Sequence, residues 1–116
     1  MRDFKKLEVW KDSHAIVLEA YRVSSQFPKE ELFGLISQIR RSAASIPYNL
    51  AEGCGRSSEK ELRRFCDIAM GSASELEYQI LLASDLNYLS DEAYQKLNNG
   101  TVIFKKRLNA FIQRLC

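Results

Sequence analysis

The chain has 116 residues, 46% hydrophobic and 28% charged, the balance of one soluble globular domain spanning 1–116 rather than a disordered or membrane chain. No apolar run approaches the roughly 20 residues of a membrane span. The opening MRDFKKLEVW has no secretory h-region, so a cytoplasmic location without a membrane partner is expected. The formal charge of +2 conceals segregation. Residues 1–39 balance, 40–64 carry +3, 65–95 carry −6 with no Lys or Arg, and 96–116 carry +5. Local patches, not net charge, therefore govern any charged partner.

In the first segment Leu7, Trp10, His14, Val17 and Tyr21 recur at three- and four-residue steps, the spacing of a helix with a core stripe. Pro28 suits the first turn of a second helix, with Glu30 and Glu31 near its positive dipole end. That helix has the stripe Leu32, Leu35, Ile39, Ala43, Ile46 and Leu50, and Gly53 and Gly55 end it. Ser58 with Glu61 is a capping-box pattern opening a third helix, striped by Leu62, Phe65, Ala69, Ser72, Leu76, Gln79, Ala83 and Leu86. Asn87 suits a left-handed position after it, and Ser90-Asp91-Glu92 starts a fourth helix. Its stripe is Tyr94, Leu97, Thr101, Phe104, Leu108, Phe111 and Leu115, weakened at Asn98–Gly100. Short loops make neighbours antiparallel, so the expected fold is all-α, an up-down-up-down antiparallel four-helix bundle.

The stretch QIRRSAASIPYNLAEGCGR, residues 38–56, puts small residues, a proline and polar groups on one amphipathic helix. SAAS (42–45) faces GSAS (71–74) of the third helix, which predicts a close crossing. Pro47 removes an amide and predicts a kink, with Gln79 a donor to the freed carbonyl of Ala43. Gln38, Arg41, Ser45, Asn49 and Glu52 form a polar stripe beside the core, and Arg41 is placed to pair with Glu75. Gln38, Arg41, Asn49, Glu52, Glu75 and Gln79 are thus candidates for a structural or intersubunit polar network. No catalytic residue is assigned, because no nucleophile–base pair is spelled out and His14 lies on a core stripe of another helix. EGCGRSS lacks the GxxxxGK[ST] pattern and reads as a tight turn, with Cys54 exposed in it.

Three cysteines without a CxxC pattern and one histidine give neither a disulfide framework nor a histidine metal site. No metal or cofactor is expected. Positive charge gathers instead at Arg56, Lys60, Arg63 and Arg64 on the third helix and at Lys105, Lys106, Arg107 and Arg114 on the fourth. In an antiparallel pair the two segments are expected to converge on one end, as a sequence-tolerant footprint for phosphates. A solvated face is the competing account.

The segments LEVWKDSHAIVLEAY, FPKEELFGLISQIRRSAASIPYNLAEGCGR and ELRRFCDIAMGSASELEYQILLASDLNYL resemble the bacterial 23S rRNA intervening-sequence protein family, some of whose members are labelled S23 ribosomal proteins. The resemblance covers about residues 4–90, with Asn87 where the family usually has glycine. It implies a four-helix bundle, a homopentamer, and kinship with the basic accessory protein of diversity-generating retroelements, which binds nucleic acid. It implies no catalytic residue. The leading expectation is a non-enzymatic homo-oligomeric scaffold binding structured RNA or DNA. The alternative is a protein–protein interaction module using the acidic 67–92 flank. A metal-dependent nuclease is the weakest reading, since Glu75 and Glu77 sit two apart on a helix and face different ways.

Overall fold

The computed structural model describes residues 2–115 and, among them, four α-helices and no strand: α1 (Glu8–Ser24), α2 (Leu35–Cys54), α3 (Glu59–Asp85) and α4 (Asp91–Gln113). Each helix packs on its chain neighbours and α1 closes on α4, with no diagonal pair in contact. This is the square section of an up-down-up-down bundle, 43 × 24 × 20 Å overall.

The helix ends follow local chemistry. Ser58 Oγ accepts from the Glu61 N–H at 3.2 Å, and Ser90 Oγ accepts from the Ala93 N–H at 3.1 Å. Only half of the capping box forms at α3, because the Glu61 carboxylate turns to Arg64 Nε at 3.2 Å. Asn87, at φ 65°, closes α3 in a Schellman arrangement. Its N–H reaches the Ser84 carbonyl and the Tyr88 N–H reaches the Ala83 carbonyl, both at 2.9 Å.

The second helix begins later than Pro28 suggests. Lys29–Glu31 makes one 3-10 turn, and α2 starts only at Leu35. Glu31 acts from outside the helix: its Oε1 accepts from the Leu35 N–H at 3.1 Å, and its Oε2 accepts from the Tyr88 hydroxyl at 3.0 Å. A Cβ on Gly34 would stand 2.7 Å from that Oε1, so any larger residue there would have to displace the Glu31 carboxylate. Leu32 therefore lies outside the helix and half exposed rather than in the core. At the other end α2 runs to Cys54, with Gly53 inside its last turn. A Cβ there would lie 2.9 Å from Phe65 Cβ, so Gly53 admits α3 instead of ending the helix. Pro47 sits within a continuous α2, and α4 is unbroken through Asn98–Gly100.

The core follows the expected stripes in α2, α3 and α4, with Ile39, Ile46, Leu76 and Phe104 essentially inaccessible, except at Leu32 and at Leu86, which caps the end of α3 and is half exposed. α1 departs from its stripe. Its buried face is Val9, Ser13, Ile16, Ala20 and Val23. Small Ser13 and Ala20 mark the true contact, and the Ser13 hydroxyl meets its own needs by donating to the Trp10 carbonyl at 2.8 Å. His14 is exposed and stacks on Trp10, ring centroids 5.1 Å apart, so it is a surface imidazole rather than a core one.

Candidate functional site

One end of the bundle gathers the last turn of α2, the start of α3 and the end of α4. The N-terminal segment, whose charges balance in the sequence, joins them. The Arg2 N–H donates to the Cys54 carbonyl at 2.9 Å, and its guanidinium lies 3.5 Å from Glu59 and 5.7 Å from the Phe111 ring centroid. Arg56 and Arg64 share one ring, at 5.1 and 4.5 Å from the Phe65 centroid, where the aromatic quadrupole favours a cation. Arg56 also pairs with Glu52 at 3.0 Å and Arg64 with Glu61 at 3.2 Å. The Arg64 hydrogen bonds hold the Glu61 carboxyl below its ordinary value. Lys60, Arg63 and Arg114 are exposed and make no ion pair among the described residues.

The cations of α4 do not all converge here. Lys105 Nζ pairs with Glu77 at 2.9 Å and Arg107 with Asp12 at 3.0 Å. Glu77 lies in the second half of α3, roughly 27 Å from its first residue at 1.5 Å rise per residue. Lys105 thus flanks the bundle's side, Lys106 is exposed beside it in sequence, and Arg107 faces α1. Among the four α4 cations only Arg114, at the helix C-cap, reaches the basic end. An antiparallel register brings only the last turn of α4 level with the first turn of α3, and each cation further back rises by one residue's length.

The expected polar network is rearranged. Glu75 Oε1 accepts from Ser42 Oγ at 3.1 Å, not from Arg41. The Ser45 and Ser72 hydroxyls share a hydrogen bond of 2.8 Å, and Asn49 Nδ2 donates to the Ser45 carbonyl at 2.8 Å. Glu52 is taken by Arg56. The side chains of Gln38 and Arg41 are exposed and make no hydrogen bond among the described residues. Gln79 is buried, its Oε1 has no partner among them, and it does not donate to Ala43. The helices cross so closely that short hydroxyls bridge them where a long arginine was expected. Ser42 and Ser72 were visible in the small-residue runs, where size alone hides their hydroxyls.

Cys54 is 1% exposed, not a loop thiol, because the last turn of α2 is covered by the N-terminal segment. Burial raises its thiol and pushes Cys66 up to about 12, which leaves both protonated and unreactive at neutral pH. Cys116 lies outside the described residues. Among the described residues, no three His, Cys, Asp or Glu side chains group as a metal site.

The family model for the 23S rRNA-intervening sequence protein matches residues 5–110, all but the last few residues of α4 included. The chain belongs to this family. A protein of unknown function from the S23 ribosomal protein family of Bacteroides thetaiotaomicron, known from its crystal structure, is similar at 26% identity and TM-score 0.83. The match covers 90% of this family member and 97% of that chain. Comparison with curated proteins yields no match. Neither description names a reaction, and no helix among the described residues is long and apolar enough to cross a membrane.

Proposed function

We propose that this 23S rRNA-intervening sequence family protein is a non-enzymatic, cytoplasmic, homo-oligomeric scaffold that holds structured RNA or another nucleic acid on the basic end of its bundle. The observation that carries this reading is the grouping of Lys60 and Arg63, which make no ion pair among the described residues, with Arg2, Arg56 and Arg64 at the start of α3, and with Arg114 at the α4 C-cap on the same end of the bundle. Phosphates compete for cations that are not already spent on carboxylates, and the arginine fork suits their oxygens. Such a surface positions a backbone without reading bases. A non-enzymatic role is supported by the separation of Glu75 and Glu77, which turn to Ser42 of α2 and Lys105 of α4. Assembly as a five-fold ring is what the family resemblance implies.

The test is fluorescence anisotropy of a structured rRNA fragment titrated with the purified chain at about 50 and about 200 mM salt. Saturable binding that weakens more than tenfold across that range is expected. Salt-insensitive binding, or none at either concentration, contradicts the reading.

A further inference from the structure

Three aromatic rings stack at the start of α1, beside its buried face of Val9, Ser13 and Ile16. Phe4 sets its ring against Trp10 at a centroid distance of 4.9 Å, with 63° between the planes. His14 lies nearly parallel to the indole, 5.1 Å between centroids and 7° between planes. Phe4 and Trp10 are half-buried against the core, whereas His14 is exposed. The imidazole therefore ends the stack with a flat ring face turned to solvent. His14 makes no hydrogen bond or ion pair among the described residues.

The chain around the stack holds it in place. The Asp3 carboxylate accepts from the Lys5 N–H at 3.1 Å, and the Lys6 and Leu7 N–H groups donate to the Asp3 and Phe4 carbonyls at 3.0 Å. That turn fixes Phe4 against the indole before any ligand arrives, so little ordering remains to be lost on binding.

The stack shares the basic end. Arg2, hydrogen-bonded to the Cys54 carbonyl, is two residues from Phe4, at most about 7 Å along the chain. Lys5 Nζ stands 6.0 Å from the Phe4 centroid, and Lys5 and Lys6 are exposed with no ion pair among the described residues. The neighbouring acids are engaged: Asp3 in the turn, Glu8 with Lys11 at 3.6 Å, and Asp12 with Arg107 at 3.0 Å. Flat rings beside unpaired cations suit an unpaired nucleobase, which stacks while its phosphates meet the cations. A base inside a duplex is already stacked on both faces and has no face left for the imidazole.

We infer that the His14–Trp10 stack takes one unpaired base of the nucleic acid held at the basic end, seated on the open face of the imidazole. This rests on the reading above and names the part of the ligand that this face takes.

Trp10 is the single tryptophan of the chain, so its emission reports on this stack alone. The test titrates the full chain with a labelled adenine-rich single strand, and with the same strand annealed to its complement, reading label anisotropy and indole emission together. Wild type, His14→Ala and His14→Phe are compared at about 50 and about 200 mM salt. The single strand is expected to quench Trp10, and the duplex to leave its emission unchanged. His14→Ala is expected to lose about fivefold or more in single-strand affinity, the worth of one stacked base, with its salt dependence unaltered. His14→Phe is expected to restore that affinity, because the ring and not its charge is used. Duplex affinity is expected to be the same in all three chains.

Salt-sensitive single-strand binding without quenching, and equal in His14→Ala, overturns the stack as a base site while leaving the basic end intact. An equal His14→Ala loss on the duplex, a weakened salt dependence, or a His14→Phe chain as weak as His14→Ala overturns it too, since a folding or charge role gives those results. No binding of either form at both salts removes the reading of the basic end, and this inference with it.

Discussion

The α2–α3 seam and the α1–α4 seam both contain small residues, yet one closes and the other stays open. Between α2 and α3, Ser45 meets Ser72 at 2.8 Å, and Gly53 leaves room only for Phe65 and Leu62. Between α1 and α4, Ala15 and Gly100 line a cleft of about 330 Å³ over Ile16, Leu97 and Phe104. Ion pairs stand at its two ends, Asp12–Arg107 at 3.0 Å and Glu19–Lys96 at 3.8 Å. Small side chains permit close approach without compelling it. Hydroxyls and flush apolar groups draw helices together, whereas long paired side chains span whatever gap remains.

The largest expected effect tests the closed seam. Leu76→Ala, at a fully buried site, is expected to lose about 3–5 kcal/mol in urea denaturation. Ile103→Ala, at the half-exposed edge of the cleft, is expected to lose less than about 1 kcal/mol. Comparable losses would show that the cleft is a packed contact.

A sharper contrast lies in two glycines. Gly53→Leu forces a side chain against Phe65 and is expected to lose about 1–3 kcal/mol or more. Gly100→Leu enters open space and is expected to gain about 0.5–1 kcal/mol by removing a helical glycine. Opposite signs in thermal unfolding sustain the comparison, and equal signs break it.

The ion pairs give the smallest effects. Asp12→Asn is expected to lose less than about 1 kcal/mol, and the loss should shrink with added salt. Glu19 has its carboxyl lowered, chiefly by hydrogen bonding from Arg22. Its contribution is fully present above the unfolded carboxyl value and disappears as pH falls through the lower folded one. Melting temperature should therefore fall on acidification more in the wild type than in Glu19→Gln. Parallel curves would mean that the pair contributes nothing.

Much of the fold was legible because it is written in local chemistry. Ser58, Ser90 and Asn87 each perform the cap their side chains allow, and the stripes of α3 and α4 alternate bulky apolar residues with polar faces. α1 was misphased because its contact uses Ser13 and Ala20, which no hydrophobic scale singles out beside Trp10 and Tyr21. The start of α2 was misplaced because Glu31 caps it from outside through a tertiary hydrogen bond with Tyr88. At the candidate site, residue type marked the cations but not their partners. Lys105 and Arg107 are claimed by Glu77 and Asp12, acids distant in sequence, and Arg2 is brought in by the Cys54 carbonyl and by Glu59. Ion pairing between helices depends on rotation and register, which a linear pattern does not specify.

The most direct test of the basic end compares two triple variants in RNA binding across a salt series. One is Lys60→Gln/Arg63→Gln/Arg114→Gln, and the other is Lys105→Gln/Lys106→Gln/Arg107→Gln. Each lost phosphate contact lowers the slope of log affinity against log salt by about 0.7–0.9. The first variant is expected to flatten the slope by about two units or more, while the second leaves it near the wild-type value. Equal slopes in the two variants, or a larger change in the second, would contradict a phosphate footprint at this end of the bundle.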